Sequence, residues 1–199
     1  MLNLIKRIAL KLLRFLRYSE KQEVARRYFF LSAFDGALAA FGIVAGASLV
    51  NDVSPAFVVA AGIGASLAML VSGVAGAYIT EEAESRRRIK ELEEAMLVDM
   101  RESEVVDVSI KGAVVAALIN GLAAFMTAVI VLTPYILAVF NPSFAAYAMH
   151  VTFVTALSVL FLLGMALAKI SGQNIIIMAT KMTALGVITI LVIMLLNML

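Results

Sequence analysis

The chain has 199 residues, 63% of them hydrophobic and only 15% charged, with a formal net charge of +2 and no cysteine. A soluble domain of this length would be about half apolar, so a mean hydropathy of +1.01 places most of the chain in lipid. Without thiols there is neither a disulfide framework nor a thiolate metal centre. No nucleotide-binding loop, nucleophile triad or nucleic-acid module is present, so neither an enzyme nor a nucleic-acid partner is expected.

Residues 1–27 carry eight of the 16 Lys and Arg. Lys6, Arg7, Lys11, Arg14 and Arg17 fall on one side of a helical wheel, and Leu2, Ile5, Ala9, Leu12 and Leu16 on the other. This pattern predicts a basic amphipathic helix on the inner membrane surface. The charges also interrupt the uniform apolar core that a cleavable signal would need.

Five apolar runs come next, at about 28–50, 55–80, 109–137, 143–168 and 174–197. Each is long enough to cross a bilayer, and continuous runs of this kind are helices rather than barrel strands. Pro134, Asn141 and Pro142 mark the expected turn between the third and fourth. The expected fold is an all-α integral membrane protein: transmembrane helices 1–2 over 28–80, a charged cytosolic extension of helix 2 over 81–108, and helices 3–5 over 109–199. Six further basic residues lie in 81–111, and none in 51–54 or 134–149. The positive-inside rule then puts the N-terminus and the 81–108 segment in the cytoplasm. An odd number of spans leaves Leu199 outside.

The first run contains one carboxylate, Asp35, about 10 Å below its cytoplasmic edge at 1.5 Å per residue. Exposed to lipid it would cost at least about 2.5–3.5 kcal/mol, so it is expected to face protein or water. Ala39, Gly42 and Gly46 share its helix face. On the second run Gly64, Ala68, Ser72, Gly76 and Thr80 recur at every fourth position, a ridge small enough for another backbone to come close. Asp35 reads either as a functional carboxylate or as one half of an ion pair with Lys181.

The charged segment has no Gly or Pro and favours helix. Glu84, Glu91 and Glu102 align, flanked by Glu81 and Asp99, with Glu94 at the margin. Beside them Ile89, Leu92 and Met96 make an apolar stripe. The acidic face reads either as a collector of hard divalent cations or as a solvated helix held by pairs such as Glu82–Arg86 and Glu84–Arg88. Met69, a thioether in the small-residue seam, is a candidate soft ligand. His150, the single histidine, reads as interfacial.

Asp35-Gly36 followed by Gly42-Ile43-Val44-Ala45-Gly46 resembles the first helix of the vacuolar iron transporter family. Ser72-Gly73-Val74-Ala75-Gly76-Ala77-Tyr78-Ile79-Thr80 resembles the end of that family's second helix. Pro134-Tyr135, Leu163-Gly164 and Lys169-Ile170-Ser171-Gly172-Gln173-Asn174 fit in order and spacing. The resemblance implies five-helix protomers paired as homodimers, exchanging Fe²⁺ or Mn²⁺ for protons and drawing metal out of the cytosol. It implies that Asp35 is the intramembrane metal or proton site. It also implies that Glu81, Glu84, Glu91 and Glu94 receive metal from the cytosol, with no tightly bound cofactor. Where the family has Ser-Met-Ala-x-Gly-Glu-Tyr this chain lacks both the Met and the Glu. Met69, one turn back, and Glu81, one turn on, stand in for them under this reading. The alternatives are a non-transporting scaffold or lipid-associated protein on the same fold, and a transporter of another solute.

Overall fold

The computed structural model describes residues 22–50, 52–99 and 103–196. The basic segment before Gln22 and the carboxylate Glu102 lie outside the described residues; 22–27 form the start of the first helix. There are five helices: α1 Gln22–Ala47, α2 Pro55–Met96, α3 Glu104–Phe140, α4 Pro142–Ser171 and α5 Ile175–Leu196. Each is long and apolar enough to cross a membrane, and the described elements are all helical.

Short polar residues set the helix ends. The Ser54 hydroxyl accepts the Phe57 amide at 3.2 Å, and Pro55 occupies a first-turn position where its missing N–H is not needed. The Asn141 side chain accepts the Ser143 amide at 3.2 Å, and Pro142 again follows the cap. Gly172, at φ 68, closes α4 in the left-handed region, where glycine carries no Cβ penalty. The Asn174 carboxamide then caps α5 through Ile176 and Ile177. The 169–174 motif thus serves as a helix-stop and helix-start signal.

Two expectations are corrected. Pro134 does not begin a turn: it is buried inside α3, which runs on to Phe140, leaving Asn141 alone between α3 and α4. A proline removes one backbone donor, but a helix among apolar neighbours keeps the rest of its ladder because water offers no alternative. In addition, α2 stops at Met96, with Leu97 at φ 55. Asp99 therefore lies beyond the helix whose acidic face it was expected to flank.

The chain divides into two compact units, one holding residues up to Phe29 with Leu70–Leu122, the other Phe30–Met69 with Ala123–Leu199. In the first, Ala25 and Tyr28 pack on Val115, Ala116 and Ile119. Here α2 and α3 come close at Gly73 and Gly121, where the Asn120 amide donates to the Gly73 carbonyl at 2.9 Å. The second unit centres on Phe41, Val44, Val58, Val131, Leu132 and Leu160. Phe41 meets Phe153 edge-on, with ring centroids 5.0 Å apart.

Small residues bring helices together in that second unit, but not along the two faces whose four-residue spacing marked them for close approach. Gly36 lies against the Ala124 carbonyl, where a Cβ has no room. On α4 the buried face is Ala148, Thr152, Ala156, Leu160, Gly164 and Ala168, a four-residue repeat of which Ala156 and Leu160 join the core of this unit. A Cβ on Gly164 would lie 2.6 Å from the Ala179 Cα. In contrast, Gly42, Gly46, Gly64 and Gly76 have nothing within 4 Å of an added Cβ. At these glycines the small faces of α1 and α2 are therefore open in the protomer, which leaves a second copy as the backbone that could come close.

Gly36→Leu and Gly164→Leu should each destabilise the protein by about 1–3 kcal/mol or more, because the added carbons meet backbone that cannot yield. Gly42→Leu should cost less than either, because inside the protomer nothing lies within 4 Å of the added Cβ. Thermal unfolding in detergent compares the three, and a Gly36→Leu protein melting with the wild type would contradict the packing.

Candidate functional site

Asp35 sits in the interior of α1 and its side chain is exposed on the protomer surface. Its neighbour Gly36 is buried against Ala124, which fixes the direction of the helix face. Ala39, Gly42 and Gly46, on the Asp35 face, are half-buried, and the two glycines are open to approach. No hydrogen bond or ion pair joins Asp35 to Lys181 or to any other described residue. The intramolecular pair with Lys181 does not form; both side chains are exposed. Met69 is half-buried and already has an interaction of its own.

The four glutamates do not come together. Glu81 is buried, 6% exposed, and its Oε1 accepts the Tyr28 hydroxyl at 3.1 Å. The Arg27 guanidinium lies over the same tyrosine ring, 5.9 Å from its centroid. Glu84, Glu91 and Glu94 are exposed and pair along their own helix with Arg88, Arg87 and Lys90, at 3.3, 2.9 and 3.9 Å. Arg86 holds Glu82 at 2.7 Å, and its hydrogen bonds, with a smaller one from Tyr78, keep that carboxyl below the ordinary range. Among the described residues no three His, Asp or Glu side chains are grouped as a metal would require. The expected pairs Glu82–Arg86 and Glu84–Arg88 are both present.

By helical spacing Glu81 groups with the solvent-facing acids, whereas in the fold it belongs to the packed end of α1. Its signal in the sequence is Tyr28, one side chain long enough to reach from α1 to a carboxylate on α2. Asn120 is a contact that hydropathy alone misses; an amide inside an apolar run marks a helix contact in the same way.

With no strand among the described residues, the class is an all-α chain with five helices long and apolar enough to cross a membrane. No family model matches the chain. It is 31% identical over 165 residues to the uncharacterized protein MJ0645 of Methanocaldococcus jannaschii, an overlap covering 81% of this chain and 83% of that protein. The chain belongs to the family of that archaeal protein.

Tyr28→Phe should lower stability by about 1–2 kcal/mol, since it removes a donor from a buried carboxylate. Glu91→Gln should change it by less than about 0.5 kcal/mol, because exposed pairs contribute little. Equal shifts of the unfolding midpoint for the two variants would show that the Tyr28–Glu81 contact has no special weight.

Proposed function

We propose that the protein is a multi-pass membrane transporter, paired as a homodimer, that moves a divalent cation such as Fe²⁺ or Mn²⁺ out of the cytosol in exchange for protons. The observation that carries this reading is Asp35: an ionisable group on an apolar helix, exposed, and without a partner among the described residues. Against lipid such a carboxylate is costly, and groups of this kind line ion and proton pathways. A second copy laid on the open glycine face of α1 removes Asp35 from lipid and brings two carboxylates together, a hard oxygen site suited to Mn²⁺ and tolerant of Fe²⁺. The resemblance of the Asp35-Gly36 stretch to the vacuolar iron transporter family supports the same assignment. Under this reading Asp35 binds metal and proton alternately.

The glutamates of the α2 extension contribute local charge rather than a preformed site, because Glu84, Glu91 and Glu94 are each held by a basic neighbour. That pairing favours a second reading, a non-transporting membrane scaffold on the same fold.

In sealed vesicles with an inward-acidic pH gradient, the purified protein should accumulate Mn²⁺, and Asp35→Asn should abolish uptake without changing oligomer size or melting temperature. The amide keeps the shape but can neither neutralise a cation nor cycle a proton. Full uptake by Asp35→Asn would remove Asp35 from the mechanism, and no uptake by the wild type with either metal would leave the scaffold or a transporter of another solute.

Orientation is tested separately. With residues 1–27 and 81–108 in the cytoplasm and five spans, a reporter fused after Leu199 should be active only outside. Cytosolic activity of that fusion would refute the odd number of crossings.

A further inference from the structure

The transport reading uses Asp35 and leaves one charge of the apolar segments without a role. Of the Asp, Glu, Lys and Arg in the five apolar runs, Lys111 lies at the mouth of its run and is held by Asp107 at 2.9 Å. The others are a single acid, Asp35 on α1, and a single base, Lys181 on α5. Both side chains are exposed on the protomer, and neither has an ion pair among the described residues. Each alone is costly beside lipid, and ionisable groups at such depth pair with one another.

The packing of the second unit sets the two charges at nearly one depth. Phe41 of α1 meets Phe153 of α4, and these helices run in opposite directions, as the first and fourth of successive crossings do. Asp35, about six residues before Phe41, is therefore level with about Val159 at 1.5 Å per residue. On α5, Ala179 lies against Gly164 and Gly186 against Leu160, which sets Lys181 level with Leu162. The two charges thus differ in depth by about three residues, or about 5 Å. Counting from the helix start gives the same result, since Lys181 lies about 9 Å inside α5, which begins at Ile175. A lysine stem is long enough to cover the difference.

We propose that in the homodimer Lys181 of each protomer pairs with Asp35 of the other, and that this crossed pair selects the face on which two copies meet. The proposal rests on the homodimer of the transport reading. A twofold interface is isologous, so one such contact brings a second with it and all four charges are matched. The flanking residues allow the approach: Gly42 and Gly46 on the Asp35 face are open, and Ala184, one turn after Lys181, is small and exposed. A lipid phosphate is a poorer partner. It would satisfy Lys181 by snorkelling but would leave Asp35, whose side chain is too short to reach the headgroups, beside hydrocarbon. The crossed pair also suits an exchanger. Two ammonium groups balance the two carboxylates in the empty dimer, and one divalent cation replaces both with no change in net charge.

The test uses the full-length, metal-free protein in detergent, with dimer strength read by sedimentation equilibrium. Asp35→Lys and Lys181→Asp should each weaken the dimer at least about tenfold, because each sets like charges face to face across the interface. An equimolar mixture of the two variants should form a mixed dimer close to wild-type strength, since both crossed contacts again join opposite charges. Asp35→Asn, which still offers the ammonium an acceptor, should remain dimeric. In the wild type a hydrophobic carbodiimide should join the Asp35 carboxylate to the Lys181 amine as an amide between two chains, identified by peptide mass spectrometry. Unchanged dimer strength in Lys181→Asp would overturn the pair and assign Lys181 to lipid headgroups. Failure of the two variants to form a mixed dimer, an amide within one chain, or no interchain amide in a dimeric wild type would each overturn it while leaving the homodimer intact. A monomeric wild type would remove the homodimer and the crossed pair together.

Discussion

A polar group beside hydrocarbon has no water to turn to, and nearly every arrangement in this chain answers that constraint. Backbone groups are taken up by long helices, and side-chain hydroxyls bond back to their own helix. Ser66, Thr127, Thr155 and Thr189 each donate to the carbonyl four residues earlier. Where the ladder is interrupted, at Pro134, the helix continues because breaking it would strand more groups than the proline does. Three polar groups within the apolar helices depart from that constraint: the Thr152 hydroxyl, buried without a hydrogen bond, and Asp35 and Lys181, exposed and without an ion pair among the described residues. Of these, Asp35 is the one acidic group, able to hold both a proton and a cation, and this is why it carries the functional reading.

The same chain treats its charges differently outside the apolar segments. Along the α2 extension each basic residue from Arg86 to Lys90 meets a glutamate one turn away. Such pairs make a solvated helix soluble and keep it helical without fixing it to anything. Glu81 stands at the border between the two regimes. It is on the same helix as the paired acids, yet its carboxylate is buried and held by a phenol from α1. One turn of helix separates a side chain that organises packing from side chains that organise only their own surface.

Small residues illustrate how periodicity and partner differ. The repeat of Gly64, Ala68, Ser72, Gly76 and Thr80 on α2 and the repeat of Ala148, Thr152, Ala156, Leu160, Gly164 and Ala168 on α4 have the same four-residue spacing. The α4 repeat is packed, with Gly164 against Ala179, while Gly64 and Gly76 on the α2 repeat meet open space. Spacing says that a backbone can come close; it does not say whose. Gly36, one half of the Asp-Gly pair, is the residue that α1 uses to approach α3.

By itself the sequence determined the features that hydropathy and local chemistry dictate: five helices, the continuation of α2 into its charged extension, a break at Asn141 and Pro142, and the glutamate–arginine pairs one turn apart. These are short-range properties, decided within a few residues of chain. The tertiary structure alone decided that Pro134 stays inside a helix, that Glu81 turns inward to Tyr28 and that Lys181 does not reach Asp35. It also decided which small faces close and which stay open. Each of these depends on the distance between residues far apart in sequence, a quantity that periodicity along one helix does not contain.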